Sequence, residues 1–94
     1  MPDRDILAAA VRRYGSGRQL VKCCEELAEL SQAICKLFDG KAWSEMDIEA
    51  VVEEMADVEI MLEQVRMVLA VDPDLEARWR SRKLRRLAKH LCES

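Results

Sequence analysis

The sequence predicts an all-α fold: four helices packed as one bundle over residues 1–94, in a chain that associates with copies of itself. Three observations predict it. Half the residues are hydrophobic and 35% are charged, while there are only three glycines, two prolines and 4% aromatics, a composition that suits helices better than sheets and turns. Helix-start and helix-stop signals divide the chain four times, with no linker, repeat or low-complexity segment between them. Apolar residues recur at helical spacing in each division. A lone chain of this size buries only about 60–65% of its unfolded surface, so association would add core that one copy lacks.

The first helix is expected from Asp3 to Tyr14, with Ile6, Leu7, Ala10, Val11 and Tyr14 at helical spacing and Gly15 as its stop. Tyr14 reads as a core residue. The second is expected from Arg18 to Phe38, its apolar stripe formed by Leu20, Cys23, Cys24, Leu27, Leu30, Ile34, Leu37 and Phe38, ending at Asp39-Gly40. Ser44 and Asp47 have the spacing of a capping box, which starts the third helix at Glu45 and lets it run to Ala70. Its seam, Val51, Met55, Val58, Leu62, Val65 and Leu69, alternates spacings of four and three, as in a helix packed lengthwise on another. Asp72-Pro73 is an N-cap followed by proline at the first helical position, and opens a fourth helix that reaches Leu91. Its apolar residues are Leu75, Trp79, Leu84, Leu87, Ala88 and Leu91.

The net charge is only −3, but it is unevenly distributed. Twelve acids lie between Glu25 and Glu63 against Lys36 and Lys41, whereas seven bases and no acid lie between Arg78 and Lys89. An acidic middle and a basic end suit a cation together with a polyanion. No apolar run approaches the roughly 20 residues that span a bilayer, and the opening Pro2-Asp3-Arg4-Asp5 lacks the form of a secretion signal, so no membrane role and a cytoplasmic location are expected. Cys23, Cys24, Cys35 and Cys92 have no Cys-x-x-Cys spacing and read as small apolar fillers in a reducing compartment rather than zinc ligands.

The chemistry lies in the acids. Glu25-Glu26-Leu27-Ala28-Glu29 on the second helix and Glu54-Met55-Ala56-Asp57 on the third each place two carboxylates three residues apart, close enough to share one cation. At about 100° per residue, Glu54 falls within roughly 20° of both Met61 and Val65, inside the apolar arc, and Glu26 falls between Ala33 and Leu37. A carboxylate there is desolvated and repelled by its neighbours, and a divalent cation removes that cost. All-oxygen ligation favours Mg²⁺, or Mn²⁺, over zinc or copper. The competing reading of any single pair is a solvated face.

Taken in order, the two motifs resemble those of the MazG-like, all-α nucleoside triphosphate pyrophosphohydrolases. The run from Glu53 to Gln64, Tyr14-Gly15 and Gln19 ahead of the first motif, and Lys83 to Leu87 near the end are also similar to small single-domain members. The resemblance implies a four-helix MazG-like bundle; the apolar positions of the third helix, which cover nearly half its circumference, call for a homodimer or homotetramer with helices two and three at the interface. The resemblance also implies Mg²⁺ held by Glu26, Glu29, Glu54 and Asp57, and hydrolysis of a nucleoside triphosphate between its α and β phosphates to the monophosphate and pyrophosphate. Such an activity serves to clean the nucleotide pool. Glu25 is then a candidate partner of the ligands or the base that orients water. Lys83 and Arg86, with Lys22 and Lys36 beside Glu29, are the candidate phosphate contacts, and Gln19 is a candidate for base or ribose.

The alternative is a helical nucleic-acid-binding or regulatory bundle that uses the basic fourth helix without catalysis. The acidic middle disfavours nucleic acid, because it repels the backbone that the basic end attracts. A carboxylate-bridged di-iron bundle is disfavoured by the single histidine, His90, where such sites draw on Glu-x-x-His pairs.

Overall fold

In a computed structural model, which describes residues 1–38, 40 and 42–93, the chain is all-helical. Four α-helices follow one another: α1 Asp3–Tyr14, α2 Ser16–Cys35, α3 Glu45–Val68 and α4 Pro73–Glu93, with a short 3-10 segment, Lys36–Phe38, continuing α2. No described helix is long and apolar enough to cross a membrane.

The boundaries follow from local chemistry. One residue, Gly15, separates α1 from α2; at φ 93° it occupies backbone that glycine adopts without strain. Its N–H donates to the Val11 carbonyl at 2.9 Å while its carbonyl accepts from the Gln19 N–H at 3.1 Å, so one residue closes one helix and opens the next. This is why α2 begins two residues before the expected Arg18. Asp39 of the expected stop lies outside the described residues. The connection to α3 is pinned by the Trp43 indole N–H donating to the Leu37 carbonyl at 2.9 Å.

The capping box at α3 is present in both directions: the Asp47 N–H donates to Ser44 Oγ at 3.1 Å and the Ser44 N–H to Asp47 Oδ2 at 2.9 Å. The far end of α3 closes two residues earlier than expected. Val71 N–H donates to the Arg66 carbonyl at 3.0 Å and Ala70 N–H to that of Met67 at 3.3 Å, the paired bonds of a Schellman turn, with Ala70 at φ 49° where glycine is usual. Asp72 Oδ1 then accepts from the Asp74 N–H at 2.9 Å and caps α4 behind Pro73, as the sequence predicts.

The core is built by α2 and α3 packed antiparallel, with α1 laid across them. Leu7, Cys23, Val58 and Met61 are its buried apolar residues, and Gln19, Glu26 and Gln64 are buried with them. The inward row of α2 is therefore Gln19, Cys23, Glu26, Leu30, Ala33 and Leu37, rotated from the expected stripe, so that Cys24, Leu27, Ile34 and Phe38 face outward. On α3 the expected seam holds for Val51, Val58, Leu62 and Val65 but not for Met55 and Leu69, which are exposed. Tyr14 is exposed rather than core, and of the cysteines only Cys23 is a buried filler.

The fourth helix departs most from expectation. Every residue from Asp72 to Glu93 is exposed, including Leu75, Trp79, Leu84, Leu87 and Leu91, so within one chain α4 is an arm and the bundle has three helices. It is fastened at its base, where Arg66 Nε donates to both carboxylate oxygens of Glu76 at 2.9 and 3.1 Å. That pair holds the Arg66 guanidinium pKa up and the Glu76 carboxyl down. The arm gives the chain a radius of gyration of 16.8 Å, against about 12 Å for a compact domain of this length. Its accessible surface is 7854 Å², against about 5,500 Å² for a compact monomer of this mass.

Candidate metal centre

The antiparallel register of α2 on α3 sets the site. Gln19 faces Gln64, and two turns further along α2 the same register brings Glu26 and Glu29 opposite Glu54. One carboxylate oxygen from each of Glu26, Glu29 and Glu54 lies within 4.8 Å of the other two. Glu26 is 7% exposed, Glu54 is half-buried and Glu29 is exposed, so the cluster opens from the helix interface toward solvent.

Among the described residues, one cation neutralises these carboxylates in part. Lys22 Nζ reaches Glu26 Oε1 at 3.1 Å and Glu25 Oε2 at 3.7 Å. The hydrogen bond and charge of Glu26 hold the Lys22 ammonium pKa up. Glu26 Oε2 and Glu54 Oε2 are buried without a hydrogen-bond partner among the described residues. Orphaned carboxylate oxygens at a helix interface are costly. Burial pushes the Glu54 carboxyl above its ordinary range, and the charges of Glu29, Asp57, Glu26 and Glu53 push it the same way. The donor set is all carboxylate oxygen, converging, partly buried and short of positive charge, which fits a hard divalent cation. Three carboxylates leave several positions of such an ion for water or other oxygen ligands.

No protein-family model, curated protein or solved structure matches the chain.

The structure brings together three of the four ligands expected from spacing. Asp57, half-buried one turn along from Glu54, lies outside the group of three, though its charge acts on Glu54. Glu25 is exposed and points away from the cluster into a cleft of about 680 Å³ that it lines with Tyr14, Arg18, Gln19, Lys22 and Met61. On the other side of the cluster, Glu29 and Glu54 border a second groove of about 430 Å³ with Lys36 and Asp47. The three carboxylates thus stand between two open clefts, each with a lysine at its edge.

Gln19 is buried, its amide donating to Gln64 Oε1 at 2.7 Å, while Gln64 turns its own amide toward Met61 Sδ at 3.7 Å. Its first role is to tie α2 to α3. Gln64, only 3% exposed, is the residue that sequence reasoning passed over. Its signal was its place in the row Asp57, Met61, Gln64, Val68, where a polar amide interrupts apolar spacing. Lys83 and Arg86 are exposed on α4 and line neither cleft beside the acids.

Proposed function

We propose that this chain is a Mg²⁺-dependent nucleoside triphosphate pyrophosphohydrolase of the MazG-like kind, working as a homodimer or homotetramer. The observation that carries the reading is the convergence of Glu26, Glu29 and Glu54 within 4.8 Å, two of them with buried, unpartnered oxygens. These three would hold the ion, with Asp57 one turn away to complete the set through a change of rotamer or a bridging water. Mg²⁺, or Mn²⁺ in its place, would neutralise charge on the triphosphate and position water against the α phosphorus.

The chain's own residues supply the rest. Lys22 and Lys36, at the edges of the two clefts, are the cations placed to meet phosphate oxygens on either side of the carboxylates. Glu25, solvated one residue from Glu26, accepts a proton or orients water on the side of the larger cleft. The Gln19–Gln64 bond fixes the register that keeps Glu26 and Glu29 opposite Glu54. A panel of nucleoside triphosphates with Mg²⁺, scored for pyrophosphate release, tests the reading. Glu54→Gln and Glu26→Gln are each expected to lower turnover by about 10²–10³-fold, the range for removing one group that meets transition-state charge. Full Mg²⁺-dependent turnover in either variant would remove the carboxylates from the mechanism.

A further inference from the structure

Two of the faces that this chain leaves exposed are complementary to each other. On α3, Ile48, Val52, Ala56 and Ile60 follow one another at spacings of four and are all exposed, forming an apolar ridge along the outside of the helix. Glutamates run beside it, Glu49 and Glu53 on one flank and Glu59 and Glu63 on the other, all exposed. On α4, Leu75, Trp79, Leu87 and Leu91 fall on a similar ridge, with Lys83 completing the spacing. Here one flanking row is basic, Arg78, Arg82 and Arg86, while the other runs Asp72, Glu76, Arg80, Leu84 and Ala88 and carries its single base at Arg80, past the two acids at the root of the arm. Arg82 lies over the Trp79 ring at 5.2 Å from its centroid, and Lys83 at 6.0 Å, so bases and apolar surface form one continuous face.

We propose that α4 of one copy docks along the outer face of α3 of a second copy, ridge beside ridge, with its arginines against the partner's glutamates. Three features favour a second copy over other occupants. The chain exposes roughly 2,300 Å² more than a compact monomer of its mass, and two such chains would together hide an area in the range of obligate homodimers. The base of α4 is held by the Arg66–Glu76 pair, while every residue of the arm is left exposed by its own chain. The acidic ridge also needs an occupant that is apolar and basic at helical spacing, which α4 is, whereas a lipid surface or a nucleic acid would engage α4 and leave α3 bare. The assignment gives Lys83 and Arg86 an intermolecular role in place of a phosphate contact. It rests on the self-association proposed above and is independent of hydrolysis.

A charge swap tests it, read by sedimentation or light scattering, with helicity by circular dichroism as the folding control. One variant carries Arg80→Glu, Arg82→Glu and Arg86→Glu; the other carries Glu49→Arg, Glu53→Arg and Glu59→Arg. Each alone is expected to weaken self-association by at least about 100-fold, since like charges then face each other along both docked helices. Mixing the two is expected to restore a heterodimer, because each arm then meets a face of opposite sign. A wild-type chain that is monomeric at micromolar concentration would overturn both the self-association and this docking. A wild-type dimer untouched by either reversal, or two weakened variants that fail to pair on mixing, would overturn the docking alone. So would retention of the dimer alongside loss of binding to anionic phosphatidylserine vesicles or to duplex DNA in the arginine-reversed variant, which would assign α4 to a lipid or nucleic-acid surface.

Discussion

Glu54 shows how a single side chain can be unfavourable for the fold and useful for the site. Its raised pKa means that the folded chain holds the carboxyl proton more tightly than the unfolded chain does. Stability from this group is therefore complete below the ordinary carboxylate value of 4.5 and is lost as pH rises through the raised folded value. At neutral pH the ionised group repels Glu29, Asp57 and Glu26, and a bound divalent cation should reverse that effect by binding only the folded state. In metal-free protein, the difference in melting temperature between Glu54→Gln and wild type should grow in favour of the variant as pH is raised from 4.5 to 8. Addition of millimolar Mg²⁺ at pH 8 should raise the wild-type midpoint by several degrees and leave Glu54→Gln unmoved. Equal Mg²⁺ responses in a differential scanning measurement would place any bound ion elsewhere. Glu54 was legible in the sequence because a carboxylate within an apolar arc has few benign explanations. Glu26, between Ala33 and Leu37 in the helical projection, is interior, whereas Leu27 and Ile34 of the expected apolar stripe face outward.

At the scale of elements, the starts of α3 and α4 were legible and the end of α3 was less so. Ser44 with Asp47, and Asp72 with Pro73, act through side chains and a fixed φ, which sequence states directly. The end of α3 depends on a backbone conformation that no residue there announces: Ala70 takes φ 49°, a role usually filled by glycine. The β-carbon in that region costs roughly 1–2 kcal/mol, part of which glycine returns through the greater freedom of its unfolded chain. Ala70→Gly is thus expected to stabilise the protein by about 0.5–1 kcal/mol, and a denaturant titration should show a higher midpoint with an unchanged slope. A lower midpoint would mean that this turn is not part of the folded ensemble. The same turn launches α4, and here the sequence misled for a physical reason: the apolar residues of α4 gave the pattern of a fourth bundle helix, but amphipathic spacing states only that a face seeks cover and not which chain supplies it.

For the molecule as a whole, the balance of surface is the deciding quantity. None of the largest side chains is fully buried, and exposed apolar residues lie along all four helices, from Ile6 on α1 through Leu27 and Val52 to Leu87. Folding draws its net stability from a small surplus of apolar burial over chain entropy, and a three-helix core with four buried apolar residues offers little surplus. On the self-association proposed above, a second copy supplies the missing burial, and the folded state and the assembled state should be one equilibrium. Its signature is mass action: when unfolding also dissociates the assembly, the melting temperature rises with protein concentration. Between about 1 and 100 μM the midpoint should climb by several degrees, since each tenfold step in concentration is worth about 1.4 kcal/mol for a dimer and a domain of this size shifts about 4–8 °C per kcal/mol at most. Because the gain is shared between two chains and each chain contributes its own enthalpy, the observed slope lies below that ceiling but well above zero. A midpoint constant across that range would show that one chain reaches its full stability alone, and the arm would then be an extension carried by a self-sufficient three-helix body.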